Sequence, residues 1–204
     1  MTIGASIATG LEQLRTQVAG AIQRAADATG AGFDYLLTAA RIESNFNPQA
    51  AARTSSARGL YQFIDQTWLG TLKEAGGRLG YGQYANAITR LPSGRYEISD
   101  PSMKTEILAL KDDPTANAAM AGVLTNSNRL KLKARLGRAP TDGELYMAHF
   151  LGAAGASRLI EGAAAQPNQR ADALFPAAAA ANKSIFYNRV GAPRSVTDVY
   201  AELS

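Results

Sequence analysis

Glu43 stands where an apolar helix runs out, in Ala39-Ala40-Arg41-Ile42-Glu43-Ser44-Asn45-Phe46-Asn47-Pro48. Shortly afterwards comes Ser55-Ser56-Ala57-Arg58-Gly59-Leu60-Tyr61-Gln62-Phe63. A carboxyl at the end of a buried helix, facing a glycine turn that offers an amide side chain, is a pattern suited to cleaving a polysaccharide. Withdrawn from water, such a carboxyl holds its proton to higher pH and can donate it to a leaving glycosidic oxygen. A glutamate at a helix end is by itself more often a solvated charge. The second segment is what favours chemistry. Glycosidases generally use two carboxylates. Asp34 lies about two and a half turns earlier on the same helix, more than ~10 Å away along the axis at ~1.5 Å per residue. Asp65 follows the Gln62 segment and reads as a helix cap. Neither is well placed as a nucleophile.

The composition removes several other chemistries. There is no cysteine, which excludes disulfides, thiolate catalysis and a Cys-zinc site. His149 is the single histidine, so a His-based metal cluster is not expected. No G-x-S-x-G elbow, P-loop or G-x-G-x-x-G after a strand is present. The 204 residues suit one compact domain with at most a small appendage, and 46% hydrophobic residues can bury a sizeable core. The net charge is +4, a balance compatible with nucleic acid, acidic lipid or an anionic polymer. The one dense basic stretch, Arg129, Lys131, Lys133, Arg135 and Arg138, reads first as a solvated helix face. Nucleic acid is not an expected partner. No stretch is long and apolar enough to span a membrane. The N-terminus lacks the basic start and apolar run of a secretory signal.

The elements that must position Glu43 are almost all helical. Ile7, Leu11, Leu14, Val18, Ile22 and Ala25 recur at spacings of three and four and predict one amphipathic helix, ended by Gly30 and Gly32. A second helix opens near Asp34 as N-cap and runs to Glu43, where Pro48 prevents a smooth continuation. Leu60 to Phe63 fits a small β-hairpin. Asp65 caps a helix through Trp68, which is expected in the core, and Gly76-Gly77 stops it. Residues 77 to 101 read as an irregular insertion with one short helix near Tyr84 to Ile88. Helices resume at about 102 to 111, after Asp113-Pro114, and after the capping box Thr141-Asp142-Gly143-Glu144. Gly152 closes that last one, and others follow from Ser157, Pro176 and Ser195. The expected organisation is an N-terminal helix over residues 1–32 packed on a catalytic domain over 33–204.

Glu43-Ser44-Asn45-Phe46-Asn47-Pro48-Gln49-Ala50, then Ser56-Ala57-Arg58-Gly59-Leu60-Tyr61-Gln62-Phe63 and Thr67-Trp68, resembles the soluble lytic transglycosylase (SLT) domain family. That family has the pattern Glu-Ser-x-Phe-x-Pro-x-Ala, a short loop, then Gly-Leu-Met-Gln. Its Asp-Pro-x-x-Asn-x-x-x-Gly stretch is similar to Asp113-Pro114-Thr115-Ala116-Asn117 leading to Gly122. Its Ala-Tyr-Asn-Ala-Gly element is replaced here by Ala148-His149-Phe150-Leu151-Gly152.

The resemblance implies a mainly α, lysozyme-like domain with a short β-hairpin near the active-site groove. It implies peptidoglycan as substrate, no cofactor and no metal. Glu43 would be general acid and then base at the N-acetylmuramic acid–N-acetylglucosamine bond, forming a 1,6-anhydro product. The family's loop serine falls on Thr54, Ser55 or Ser56. Gln62 would hold an N-acetyl group or a glycan hydroxyl, or else brace the hairpin. Tyr61, in place of the family's methionine, would wall Glu43 or stack on a sugar, or else pack in the core. His149 aligns with the family's tyrosine; the alternative is an ordinary core histidine. Tyr187 resembles a C-terminal tyrosine that approaches the catalytic glutamate. The rival activities are a hydrolytic muramidase and a non-catalytic peptidoglycan-binding or assembly module. A periplasmic or envelope setting, serving a flagellum, secretion system or phage tail, would suit such an enzyme.

Overall fold

The structure is a computed structural model. It describes residues 3–204, with side chains from residue 12 onward. The expected positions of Ile7 and Leu11 on the first helical stripe lie outside the described side chains. Among the described residues the chain is mostly helical and includes one two-stranded antiparallel sheet. It divides into two compact units, the first ending at Asn126 and the second running from Ser127 to Ser204.

In the first unit, α1 (Ile3–Thr29) buries Val18, Ile22 and Ala25 of the predicted stripe, with Ala21 and Ala26 beside them, while Leu14 is half-buried. Gly30 ends it at φ 72°, a backbone that glycine adopts without a Cβ clash. Helix α2 (Phe33–Ser44) buries Tyr35, Leu36, Ala39 and Ala40. Its N-cap lies two residues earlier than expected. Gly32 takes the cap position, and Asp34 sits in the first turn, where its charge meets the helix N-terminus. In helix α3 (Asp65–Ala75) Ile64 occupies the N-cap position, with no side-chain hydrogen bond to the first turn. Asp65 does not cap it, because its carboxylate is drawn to the buried Lys111 ammonium at 2.6 Å. Trp68 is fully buried as expected; its indole N–H donates to the Ile107 carbonyl at 2.8 Å, and its ring meets Phe63 edge-on.

Residues 77 to 101 are more ordered than the sequence suggests. After a 3-10 turn at Gly76–Leu79 come α4 (Gly82–Ala87), β1 (Thr89–Arg90) and β2 (Tyr96–Glu97). The strands pair antiparallel, Thr89 with Glu97 and Arg90 with Tyr96. The amide of Gln66 on α3 donates to the Tyr96 carbonyl at 3.0 Å and accepts the Tyr96 N–H at 2.9 Å. A side chain thus substitutes for a third strand. Helix α5 (Pro101–Ala109) is capped by Asp100 and continues into a 3-10 turn at Leu110–Asp112. Helix α6 (Pro114–Leu136) follows, and the boundary between the units falls within it.

The second unit holds the end of α6, then α7 (Asp142–Ala165), α8 (Ala171–Leu174), α9 (Pro176–Ala181), α10 (Lys183–Phe186) and α11 (Val196–Glu202). The expected capping box is present at Thr141/Glu144, and the helix expected from Ser195 opens with a second one, Ser195/Asp198. Gly152, at φ 72°, interrupts α7, and the helix resumes directly after it rather than at Ser157. Glu144 is buried and receives both Arg138 guanidinium nitrogens, at 2.6 and 2.8 Å. Arg138, more than desolvation, sets its titration: the Glu144 carboxyl is held below its ordinary pKa. A lowered folded-state pKa contributes stability that is complete above the ordinary carboxylate range and lost as pH falls through the folded value. Glu144→Gln should therefore lower the melting temperature at pH 7 by roughly 2–4 °C, the shift for about 1 kcal/mol in a chain of this size. Thermal melts from pH 7 to 3 should show that difference shrinking with acid.

Candidate active site

Glu43 occupies the last turn of α2 and is half-buried. The helix ends by a reversal in which Asn45 (φ 49°) and Phe46 (φ 64°) both take left-handed backbone. Their N–H groups return to the Arg41 and Ala40 carbonyls at 2.9 and 3.3 Å, which satisfies two carbonyls the helix end would leave open. Asn47 turns the chain again, its side chain accepting the Gln49 N–H at 2.9 Å. Pro48 is buried beyond it.

The turn is stitched to the glycine segment through one atom. The Ala50 carbonyl accepts the Gly59 N–H at 2.9 Å and the Gln62 side-chain amide at 3.1 Å. The same amide donates to the Gly59 carbonyl at 2.9 Å. Gln62 thus braces the loop with its nitrogen. Isolated bridges at Ala51–Arg58 and Arg58–Phe63 make this a bridged loop. The sequence-predicted hairpin at 60–63 is reduced to these contacts, and the paired strands lie instead at 89–97.

Beneath the loop is a polar floor that sequence reasoning missed. Lys111 is 1% exposed. Its ammonium donates to the Ser56 carbonyl at 2.8 Å, the Phe63 carbonyl at 3.5 Å and Asp65 at 2.6 Å. Those partners lie at both ends of the loop, so one buried charge pins it shut. Asn117 accepts the Tyr61 N–H at 3.0 Å and donates to the Lys111 carbonyl at 2.8 Å. Gly59, at φ 83°, lies so close that a Cβ would collide with the Lys111 carbonyl and the Asn117 amide. Arg58 pairs with Asp112 at 2.5 Å, and Asp113 caps α6 through the Ala116 N–H at 2.7 Å. Gly122 makes room for Thr29 of α1, where a Cβ would collide. The Asp113–Gly122 stretch is therefore structural: it holds the Gly59–Gln62 segment in place. Lys111 carried no signal in sequence, since a lysine before Asp112-Asp113-Pro114 looks like part of a solvated charged turn.

Tyr61 must be corrected. It is 1% exposed, and its hydroxyl donates to the Leu36 carbonyl at 3.0 Å, so its ring packs in the core and presents no face to a sugar. Burial pushes its phenol pKa up, with the neighbouring Tyr35 adding to the shift. Ser55 and Ser56 are exposed on the loop. Their hydroxyl oxygens accept the Ala57 and Asp65 N–H groups at 3.3 and 3.1 Å. Each hydroxyl hydrogen remains able to donate. Ser56 and Asp65 also border a cavity of about 460 Å³ that Leu91 and Arg95–Ile98 help to line.

His149 and Tyr187 lie in the second unit. His149 is half-buried on α7, its ring parallel to that of Tyr146 with centroids 6.2 Å apart. Tyr187 donates to Asp172 at 3.1 Å, and Asp172 is held by Arg170 at 2.7 Å. Desolvation first and the Asp172 hydrogen bond second raise its phenol pKa. Among the described residues no group of three or more His, Asp or Glu is arranged to hold a metal ion. No described helix is long and apolar enough to cross a membrane.

The match to known families covers the elements that build the Glu43 turn and its braced loop. It begins inside α1, runs through residues 77–101 and stops before Lys111, His149 and Tyr187. Residues 20–103 match the family described as the Transglycosylase SLT domain, a match consistent with a lytic transglycosylase, lysozyme-like fold over that part of the chain.

Proposed function

We propose that this protein is a peptidoglycan lytic transglycosylase using Glu43 as its one acid–base residue. The carboxyl protonates the oxygen of the β-1,4 bond between N-acetylmuramic acid and N-acetylglucosamine. The substrate's own N-acetyl carbonyl assists at the anomeric carbon. The carboxylate then takes the proton of the muramoyl C6 hydroxyl, whose oxygen closes the 1,6-anhydro ring. No water is consumed, and the glutamate ends in the protonation state in which it began. The amide oxygen of Gln62 and the hydroxyls of Ser55 and Ser56 are the groups proposed to meet sugar. His149 and Tyr187 are proposed as further contacts. The 77–101 segment is proposed to wall the groove on the side of Ser56.

The observation that carries this reading is what the other loop carboxylates are doing. Asp65 is held by Lys111, Asp112 by Arg58, and Asp113 caps α6. Each is tied into structure, which favours a mechanism in which the substrate supplies the second group over one that needs a carboxylate pair. The setting that suits this activity is the bacterial periplasm or envelope, beside an apparatus that must pass the wall.

Mass spectrometry of digested sacculi tests the product. The expected fragments end in anhydromuramoyl groups. Reducing-end fragments, each heavier by one water, would identify a hydrolytic muramidase instead. Protein that pulls down sacculi but releases no fragments would identify a binding module.

A further inference from the structure

The charge of this chain is unevenly divided. Residues 127–204 hold ten lysines and arginines against six aspartates and glutamates, while the first 126 residues hold eleven of each. The whole net charge of +4 thus resides in the second unit. Within it, five cations fall between Arg129 and Arg138, and no acidic residue occurs from 114 to 141. Arg138 is committed to Glu144. Arg129, Lys131, Lys133 and Arg135 are exposed, and none makes an ion pair among the described residues.

Helical geometry arranges these four in a definite way. Leu132 is fully buried and marks the inward side of α6. On the opposite side lies Leu130, 65% exposed, with Ala134 one turn further on. At about 100° per residue, Arg129 and Lys133 flank that apolar line on one side, and Lys131 and Arg135 flank it on the other. The result is a convex ridge with a small apolar crest and a cation row along each edge. A linear polyanion is usually gripped in a cleft. A ridge with cations on both edges instead faces a broad anionic surface, and an exposed leucine between them gains only if that surface has an apolar layer.

We propose that this face of α6 docks on an anionic phospholipid membrane, with the four cations at headgroup phosphates and Leu130 reaching the acyl boundary. The inference does not depend on the activity assigned to Glu43. The attraction is peripheral and salt-sensitive, since each cation near such a surface contributes only modestly.

Vesicle co-sedimentation of the full chain tests it, using Glu43→Gln protein so that no catalysis intervenes. Binding is expected to vesicles of phosphatidylglycerol mixed with phosphatidylcholine, and not to phosphatidylcholine alone. Each neutralised cation should weaken partitioning about fivefold, so Lys131→Gln with Arg135→Gln should lose roughly 25-fold while retaining the wild-type circular dichroism. Leu130→Ser should weaken binding severalfold on vesicles and leave binding to soluble polyphosphate unchanged. Equal binding to neutral vesicles would overturn the proposal. So would a double variant that binds as wild type. Vesicle binding indifferent to Leu130→Ser and fully competed by polyphosphate would mean a phosphate polymer is the partner, and would also overturn it.

Discussion

Glu43→Gln is expected to lower the rate of glycan cleavage by on the order of 10⁴, the upper end of what general acid–base catalysis contributes. The upper end applies because one carboxyl serves twice in the proposed reaction, as acid at the glycosidic oxygen and as base at the C6 hydroxyl. Glutamine keeps the shape and the hydrogen-bonding capacity of the tip but can neither give nor take the proton. Because Glu43 is half-buried at a helix end whose backbone is held by Asn45 and Phe46, the melting temperature should hardly move. Glu43→Asp adds a graded control: it retains the carboxyl and withdraws it by one methylene, so activity should fall less than with glutamine. Turnover by Glu43→Gln within tenfold of wild type would remove Glu43 from the chemistry. Asp65 would be a poor replacement, since Lys111 already holds its carboxylate at 2.6 Å.

Lys111→Ala should be the most damaging substitution for stability among those considered. Asp65 is 39% exposed and can be solvated once the lysine is gone, but emptying the buried site costs about 2 kcal/mol or more, and two backbone carbonyls, of Ser56 and Phe63, lose a donor with it. Lys111→Met separates charge from volume. It fills most of the space, so the remaining loss reports the ammonium alone. Both variants should unfold at lower temperature, alanine more so. Both should speed hydrogen exchange at the Arg58 and Phe63 amides, which bond across the loop. Activity should fall through weaker substrate binding as well as slower turnover, because the lysine positions the loop and touches no reacting atom. A Lys111→Met protein with wild-type melting and exchange would show that the ammonium is dispensable. A double-mutant cycle with Asp65→Asn then isolates the pair itself.

These two residues mark how far the sequence could be read. Glu43 was visible because its neighbours are local: the apolar stripe of α2, the turn residues after it and the glycine segment lie within twenty residues. The same locality made the Thr141 and Ser195 caps and the stop at Gly30 readable. Lys111 was not visible because its burial depends on acceptors some fifty residues away, and nothing in its own surroundings predicts them. Gln66 is similar: an amide that mimics a strand has no sequence period. The strands at 89–90 and 96–97 are two residues long, too short for alternation to show. Tyr61, at the place of the family's methionine, could be read as a wall beside Glu43, a platform for a sugar or a core residue, and the structure selects the last. Its side chain points away from that of Gln62 because the backbone of Gln62, at φ 46°, turns the two residues apart.

That left-handed backbone has a consequence for anyone evolving the protein. Among the described non-glycine residues, Asn45, Phe46 and Gln62 carry the positive φ values, and all three lie in the Glu43 turn or its brace. Non-glycine residues there cost roughly 1–2 kcal/mol each. Glycine would relieve that strain, but at Gln62 it would also remove the amide that donates to the Ala50 and Gly59 carbonyls, so the relief is offset by the lost brace. Strain relief and the integrity of the loop therefore compete at Gln62, and a screen for heat resistance must measure activity as well.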